Sequence, residues 1–210
     1  LLRPMLEALE LEVSRSGTPL FSGVAFTLPP GALLRVSGAN GSGKTSLLRT
    51  LCGLFSPVSG DVRWRGENIR ALREEYWKHL LYIAHSNALK DDLTAAENLA
   101  FACALAGISI PRARVRAALK RFGLGEREHA PTRIQSQGQK RRTALARLAL
   151  GVTLPLWLLD EPFAALDPEG IKLVQSLLEE HLARGGMVVL TTHQEVPIRA
   201  ATTLDLSLDR

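Results

Sequence analysis

A glycine-rich loop is the clearest chemical pattern in the sequence. Residues 38–45 match GxxxxGK[ST] and lie between a predicted strand and a predicted helix. In such a loop the backbone N–H groups and the helix N-terminus bind phosphate, Lys44 reaches the terminal phosphates and Thr45 offers a hydroxyl to Mg²⁺. The sequence therefore predicts a nucleotide triphosphate site, whose proposed binding residues are Gly38, Ala39, Asn40, Gly41, Ser42, Gly43, Lys44, Thr45 and Ser46.

Two acidic residues follow a later apolar run. Residues 156–159 are apolar, and Asp160 and Glu161 come directly after them. The carboxyl end of a core strand is where an α/β sheet places its ligands. We expect Asp160 to hold Mg²⁺, and we expect Glu161 to orient and polarise the attacking water. His193 follows the apolar run 187–190 in a similar way and is the second candidate catalytic residue.

A polar pentapeptide precedes the strand that ends in Asp160 and Glu161. Residues 135–139 read QSQGQ and precede three basic residues and an Ala/Leu-rich stretch. A serine at a helix N-terminus can present both its hydroxyl and the helix dipole to a phosphate. The candidate phosphate contacts are Ser136, Gln137, Gly138 and Gln139. Taken by itself, the pentapeptide is better explained as a simple helix cap.

Alternating strands and helices must position these residues. The predicted strands cover residues 6–13, 21–28, 32–37, 59–66, 80–84, 156–159 and 187–190. The predicted helices cover about residues 44–52, 94–106, 111–122, 135–151 and 168–184. Strands that alternate with helices predict a mainly parallel sheet. We therefore expect an α/β fold: a P-loop NTPase core with a mainly parallel sheet, an antiparallel β edge and an inserted helical lobe.

The helical lobe interrupts the core in the middle of the chain. We expect one domain over residues 1–210, with a core of residues 1–85 and 152–210 and a lobe of about residues 86–151. Thr94 with Glu97 fits a capping box at the first lobe helix.

The composition is that of a folded protein with a basic surface. The chain has 210 residues, 46% hydrophobic and 22% charged, with a net charge of +5, which excludes a disordered or fibrous protein. We expect the basic clusters at residues 112–121 and 140–142 to be solvated helix faces. Cys52 and Cys103 belong to no CxxC pair, so we expect two reduced thiols in a cytosolic protein. No apolar run approaches the about 20 residues of a membrane span, so a membrane role would need a partner.

Taken in order, the motifs resemble the ABC ATPase family over essentially the whole chain. The pentapeptide matches the family's LSGGQ signature at Ser136, Gly138 and Gln139, Asp167 takes the place of the D-loop aspartate, and His193 that of the switch histidine. The resemblance implies ATP and Mg²⁺ as cofactors and ATP hydrolysis coupled to transport. It also implies a homodimer in which each signature contacts, in trans, the nucleotide of the other chain. A further implied partner is an integral membrane permease subunit, and no direct contact with nucleic acid is expected.

Two positions depart from the family pattern. His85 stands where the family has a glutamine, and because imidazole can ligate a metal, His85 is a further candidate ligand beside Thr45 and Asp160. Ser16 stands where the family often has an aromatic residue that stacks on adenine, which predicts loose base selectivity. We expect Tyr76 and Trp77 to be lobe or surface residues and not to substitute for that aromatic.

Four short segments of the chain resemble the CcmA family, the haem-exporter ATP-binding subunits of bacterial cytochrome c maturation. The matching segments are residues 20–23, His85, residues 93–99 and residues 191–194. This resemblance implies haem export or haem-carrier release, with the protein peripheral at the cytoplasmic face of the bacterial inner membrane. No haem-ligand motif is visible, and we expect His79, His129 and His181 to be solvated.

Three other functions stay open. A nucleic-acid-associated ABC ATPase would suit the basic balance, but the coiled coil, zinc module or duplicated cassette typical of that class is not seen in the sequence. A P-loop kinase or GTPase would not need the pentapeptide or His193. An ABC ATPase of another small-solute transporter would share every motif, because the sequence does not name the transported substrate.

Overall fold

The computed structural model describes residues 5–127 and 129–209, so residues 1–4, 128 and 210 of the predicted domain lie outside the described residues. The strands are β1 (Leu6–Arg15), β2 (Thr18–Leu28), β3 (Ala32–Ser37), β4 (Ser59–Trp64), β5 (Glu67–Asn68), β6 (Leu80–Ile83), β7 (Leu156–Asp160), β8 (Met187–Thr191) and β9 (Thr202–Ser207). The helices are α1 (Lys44–Leu51), α2 (Ile69–Leu72), α3 (Glu74–Trp77), α4 (Ala95–Leu105), α5 (Arg112–Arg121), α6 (Gln137–Leu145), α7 (Arg147–Leu150) and α8 (Pro168–Ala183).

The strands form two sheets. The larger sheet has the order β6-β7-β8-β3-β9, and all its neighbouring strands are parallel. The smaller, antiparallel sheet has the order β2-β1-β4-β5. The predicted fold class is confirmed. Because parallel strands end at the same edge, the loops after β3, β6, β7 and β8 meet there, although they are far apart in sequence.

Both faces of the parallel sheet are covered. Trp157 and Leu159 of β7 pack into a cluster with α8 and the helices between β6 and β7. Leu156 and Leu158 point to the other face, where α1 and the antiparallel sheet form a second cluster. Every residue of β7 and β8 is buried, which explains why both strands are continuous apolar runs rather than alternating ones.

Helices α4 to α7 fill the chain between β6 and β7. The predicted capping box at Thr94 and Glu97 is confirmed, with hydrogen bonds in both directions. The helix predicted over residues 135–151 is broken into α6 and α7 at Ala146.

Two predictions about aromatic side chains were wrong: Tyr76 was expected to be a lobe or surface residue, and His181 was expected to be solvated. Tyr76 is buried, and its hydroxyl donates to the Leu51 carbonyl oxygen at 2.7 Å. His181 is also buried, and its ring stacks on Trp157 with centroids 3.9 Å apart and planes 6° apart. Burial and nearby Arg184 lower the pKa of His181 to about 4, so the imidazole is neutral inside the core. A histidine on one helix face gives no sequence signal of the tryptophan beneath it.

Candidate functional site

The phosphate loop joins β3 to α1 and needs glycine at defined places. Gly38, Gly41 and Gly43 all have positive φ, at 143°, 87° and 104°. A Cβ at Gly43 would also lie 2.9 Å from a ring carbon of Phe21 and 3.1 Å from Cβ of Leu20. Strand β2 therefore presses directly against the start of α1, and only glycine fits this position without a shift.

Lys44 is the first residue of α1, and its side chain bends back over the loop. Its Nζ atom donates to the carbonyl oxygens of Gly38 at 2.6 Å and Ala39 at 3.1 Å. The ammonium is buried and held by the same loop whose N–H groups would bind phosphate. A phosphate that enters the loop meets a cation already in place.

Asp160 is tied by two threonine hydroxyls. Thr45 Oγ1 donates to Oδ2 of Asp160 at 2.8 Å, and Thr191 Oγ1 donates to Oδ1 at 2.8 Å. No cluster of three or more His, Cys, Asp or Glu side chains forms within residues 5–127 and 129–209. The adjacent hydroxyl and carboxylate of Thr45 and Asp160 are nevertheless hard oxygen donors, and Mg²⁺ typically takes only one or two protein ligands and keeps its waters. The pair therefore fits the predicted Mg²⁺ site.

Glu161 sits in an unusual backbone conformation next to this pair. Its φ is +49°, a left-handed value that costs a non-glycine residue about 1–3 kcal/mol. Its N–H donates to Thr191 Oγ1 at 2.9 Å. Its Oε1 atom lies 3.4 Å from Nε2 of His193, yet it is buried and accepts no hydrogen bond from the described residues. A buried carboxylate oxygen in this state can accept a hydrogen bond from a bound water.

The predicted core residues of the site line one open cleft of about 600 Å³. Its lining is Arg15, Leu20, Asn40, Gly41, Gly43, Lys44, Thr45, Ser46, His85, Asp160, Glu161, Ala164 and His193. The structure thus brings most of the phosphate loop together with Asp160, Glu161, His193 and His85. Three predicted loop residues are not among the lining: Gly38, Ala39 and Ser42. At the hairpin between β1 and β2 the cleft is lined by Arg15, whereas Ser16 occupies the turn with φ +51°. Ser16 is not among the residues that line the cleft.

The signature residues lie apart from this cleft. None of Ser136, Gln137, Gly138 and Gln139 is among its lining residues. Ser136 caps α6: its Oγ accepts from the Gln139 N–H at 3.2 Å, and its own N–H donates to Oε1 of Gln139 at 2.9 Å. Ser136 and Gln137 are exposed. The helix N-terminus is therefore formed and open to solvent, and it is not part of the cleft that the chain's own phosphate loop lines.

Asp167 is also engaged away from the cleft. It caps α8 by accepting from the Gly170 N–H at 2.9 Å, and it pairs with Arg142 of α6 at 2.5 Å. The hydrogen bond from Arg142, with that from Gly170, lowers the pKa of Asp167. Asp167 therefore joins α8 to the signature helix.

The basic cluster at residues 140–142 is not a solvated face, which corrects the prediction for it. Arg141 is only 3% exposed, and its guanidinium donates to the carbonyl oxygens of Asp160 and Glu161. Lys140 pairs with Asp91 at 2.9 Å. Charge alone predicted solvent exposure; these contacts come from segments distant in sequence.

Two further residues shape the site without a recognised motif. Thr191 bridges Asp160 and Glu161, as described above. Asp209, beyond the last strand, accepts from the Ala39 N–H at 2.7 Å and so fixes the start of the phosphate loop. Residue spacing could not reveal either contact, because each depends on how β8 and β9 pair beside β3.

Comparisons with known proteins show the family of the chain. Residues 21–164 match the family model described as ABC transporter. A cytochrome c biogenesis ATP-binding export protein CcmA from Nitrosospira multiformis is 50% identical over 205 residues, 98% of this chain and 99% of that protein. The protein of the same name from Pseudomonas aeruginosa is 47% identical, with 95% of this chain and 98% of that protein covered. The chain belongs to the CcmA family of ABC transporter ATPases.

Solved structures agree with the ABC transporter family and its fold. An ATP-binding subunit of an ABC transporter superposes with a TM-score of 0.81 at 28% identity, over 90% of this chain and 79% of that one. A dimeric ATP-binding cassette in a post-hydrolysis state with ADP and Pi gives a TM-score of 0.77, over 90% of this chain and 88% of that one. At 23% identity, the second match supports the fold alone. Within residues 5–127 and 129–209, no helix combines the length and the apolar character that a membrane crossing requires.

Proposed function

We propose that this protein binds and hydrolyses ATP as a subunit of a membrane ABC transporter that serves haem export or haem-carrier release in cytochrome c biogenesis. The observation that supports the chemistry most directly is the shared cleft of Lys44, Asp160, Glu161 and His193. The biological assignment is supported by identity near one half over almost the full chain to the cytochrome c biogenesis proteins named CcmA.

The phosphate loop would bind the triphosphate through its N–H groups and the start of α1. Lys44 would exchange its bonds to Gly38 and Ala39 for phosphate oxygens, which neutralise its charge better than carbonyl groups do. Glu161 would accept a hydrogen bond from the attacking water at its unpartnered Oε1, and His193 would lie on the same side of the cleft. Catalysis of phosphoryl transfer is mostly such positioning and charge stabilisation.

Thr45 and Asp160 are the residues that would hold Mg²⁺, and His85 is a further candidate at the cleft wall. When bound, the ion supplies charge neutralisation for the phosphates. The two threonine hydroxyls fix both oxygens of Asp160, so the carboxylate is oriented before any ligand arrives.

A second copy of this chain would complete the site. Ser136 and the α6 N-terminus are exposed and do not line their own cleft. In a head-to-tail pair, each signature could approach the nucleotide in the other copy. Closure of the two copies around ATP and their reopening after cleavage would then drive a membrane permease. The division of each copy into a core (residues 1–85 and 152–210) and a lobe (about 86–151) stays a prediction.

Glu161→Gln tests the chemistry. Removing a general base typically slows a reaction by about 10²–10⁴-fold. We expect the variant to bind Mg²⁺-ATP, to hydrolyse it at least 100-fold more slowly and to run as a dimer in size-exclusion chromatography with ATP. Glu169→Gln, an exposed acid in the first turn of α8, is the matched control. Hydrolysis by Glu161→Gln at the rate of the control would remove Glu161 from the reaction.

Mixed dimers test the contact in trans. Lys44→Ala disables the phosphate loop, and Ser136→Arg blocks the signature. In a head-to-tail pair of one chain of each kind, one of the two sites combines an intact loop with an intact signature. Hydrolysis by the mixture should therefore exceed that of either variant alone, and a mixture no more active than its components would contradict the arrangement.

The haem assignment has its own test. In a bacterium that lacks its CcmA protein, the wild-type chain should restore covalent haem in c-type cytochromes, while Glu161→Gln should not. Active ATP hydrolysis without restoration would refute the assignment to cytochrome c biogenesis and favour a transporter of another solute.

A further inference from the structure

Arg141 makes an unusual set of contacts from the middle of α6. Its Nη2 atom donates to the carbonyl oxygens of Asp160 at 2.9 Å and Glu161 at 2.6 Å. Its Nη1 atom donates to the carbonyl oxygens of Ala84 at 3.1 Å and His85 at 3.4 Å. One side chain therefore joins the signature helix to the ends of two parallel strands.

These contacts are backbone contacts, although the group that makes them is a buried cation. Burial lowers the pKa of Arg141 from its ordinary value, while the nearby carboxylates of Asp160 and Glu161 oppose that effect. A buried guanidinium is costly unless its donors are satisfied. Its two Nη atoms donate to four main-chain carbonyl oxygens and to the amide oxygen of Asn87 at 3.4 Å. Only its buried Nε has no hydrogen-bond partner among the described residues. The planar fork of arginine can span two loops in this way, whereas the single ammonium of lysine cannot.

Glu161 is one of the residues that this tether holds. Its left-handed backbone persists only if its surroundings hold it. The Glu161 N–H is held by Thr191 and its carbonyl oxygen by Arg141. The direction of the carboxylate toward the cleft is therefore set from both sides of the residue.

We propose that Arg141 is a positioning residue, which ties the signature helix to the backbone of Glu161 and His85 and so aims the Glu161 carboxylate into the cleft. The role in hydrolysis rests on the proposed function; the tether itself does not. Since Arg141 donates to residues 84–87 and 160–161 rather than to the phosphate loop, it acts on the chemical step and not on nucleotide binding. It also gives the signature helix a mechanical connection to the catalytic residues of its own chain.

The test compares Arg141→Lys with Arg147→Lys. Arg147 of α7 is a half-buried arginine that donates to the carbonyl oxygen of Tyr82 within β6, at 3.2 Å. A small misplacement of a catalytic group costs on the order of 100-fold in rate. We expect Arg141→Lys to lower kcat for ATP hydrolysis by about 10- to 100-fold with KM for ATP changed less than about 3-fold. Arg147→Lys should keep kcat near the wild-type value.

Amide hydrogen exchange on the nucleotide-free proteins gives a second readout. Peptides over residues 84–90 and 160–166 should exchange faster in Arg141→Lys than in Arg147→Lys, because the tether between the two loops is lost. Equal exchange in the two variants, or an equal kcat, would overturn the proposal. A wild-type protein that fails to hydrolyse Mg²⁺-ATP would instead refute the proposed function and the catalytic role together, while the exchange comparison would still decide whether the tether exists.

Discussion

Replacing Thr191 with valine should both destabilise the protein and slow ATP hydrolysis. The Thr191 side chain is fully buried; its hydroxyl donates to Asp160 and accepts from the Glu161 N–H. Valine keeps the shape but removes both bonds. A hydrogen bond to a charged group is worth about 1.5–3 kcal/mol, and a buried N–H left unpaired costs about 1–3 kcal/mol. The expected loss in free energy of unfolding is therefore roughly 3–5 kcal/mol, since some relaxation will occur.

The measurement is urea unfolding of Thr191→Val and Thr191→Ser at neutral pH, followed by hydrolysis assays on the folded proteins. Serine retains the hydroxyl, so Thr191→Ser should lower the free energy of unfolding by only about 1 kcal/mol, the contribution of one buried methyl group. The valine variant should also lower kcat, because the N–H of the strained residue Glu161 is no longer held. A valine variant within about 1 kcal/mol of wild type would show that water or a shifted neighbour replaces the hydroxyl, and the bridging role would be wrong.

Two other perturbations have expected outcomes. Lys44→Ala should weaken ATP binding by about 10- to 100-fold in calorimetry, because a charged hydrogen bond to phosphate is lost. The control Lys78→Ala changes an exposed lysine paired with Glu75 and should leave the affinity for ATP unchanged. Equal affinities of the two variants would refute the phosphate-loop role of Lys44. Acidification should destabilise the protein through His181. Its pKa is about 4 in the folded protein and ordinarily 6.5, so folding favours the neutral imidazole. The stabilisation is therefore fully present above pH 6.5, and the free energy of unfolding falls by roughly 3 kcal/mol as the pH drops to 4. Replacing His181 with leucine should flatten the pH dependence of the free energy of unfolding in that range. The control His79→Leu, at a half-buried site, should change this pH dependence less. Equal slopes for wild type and His181→Leu would show that His181 is not the group that titrates.

Much of the fold followed from patterns that the backbone imposes locally. The continuous apolar runs of β7 and β8 predicted strands buried on both faces, and both are confirmed. Strand β9 was not predicted, because its residues alternate between exposed and half-buried and include Thr202, Thr203 and Asp205. It forms because its backbone pairs in parallel with β3, and the hydrophobic pattern of residues 202–207 does not predict that pairing. The four-residue helices α2 and α3 are too short to show a helical period.

The candidate site also has a part that the sequence predicts and a part that it does not. The phosphate loop and the acidic strand end are contiguous in sequence, so their chemistry could be predicted from residue types and spacing. Arg141 was assigned to solvent because charge patterns report the average behaviour of arginine, not the carbonyl oxygens that a particular fold places around it. The roles of the named catalytic, signature and metal-binding residues stay predictions until the variants above are measured.

The contact between Asp209 and the Ala39 N–H spans 170 positions of the chain. During synthesis, the amino-terminal part of the phosphate loop leaves the ribosome long before the strand that pairs beside β3 and the carboxylate that holds Ala39. A nascent chain halted inside α8 would already contain the whole glycine-rich motif, yet the loop would lack that anchor. Affinity for nucleotide should accordingly arise late in translation, when the last strand joins the sheet.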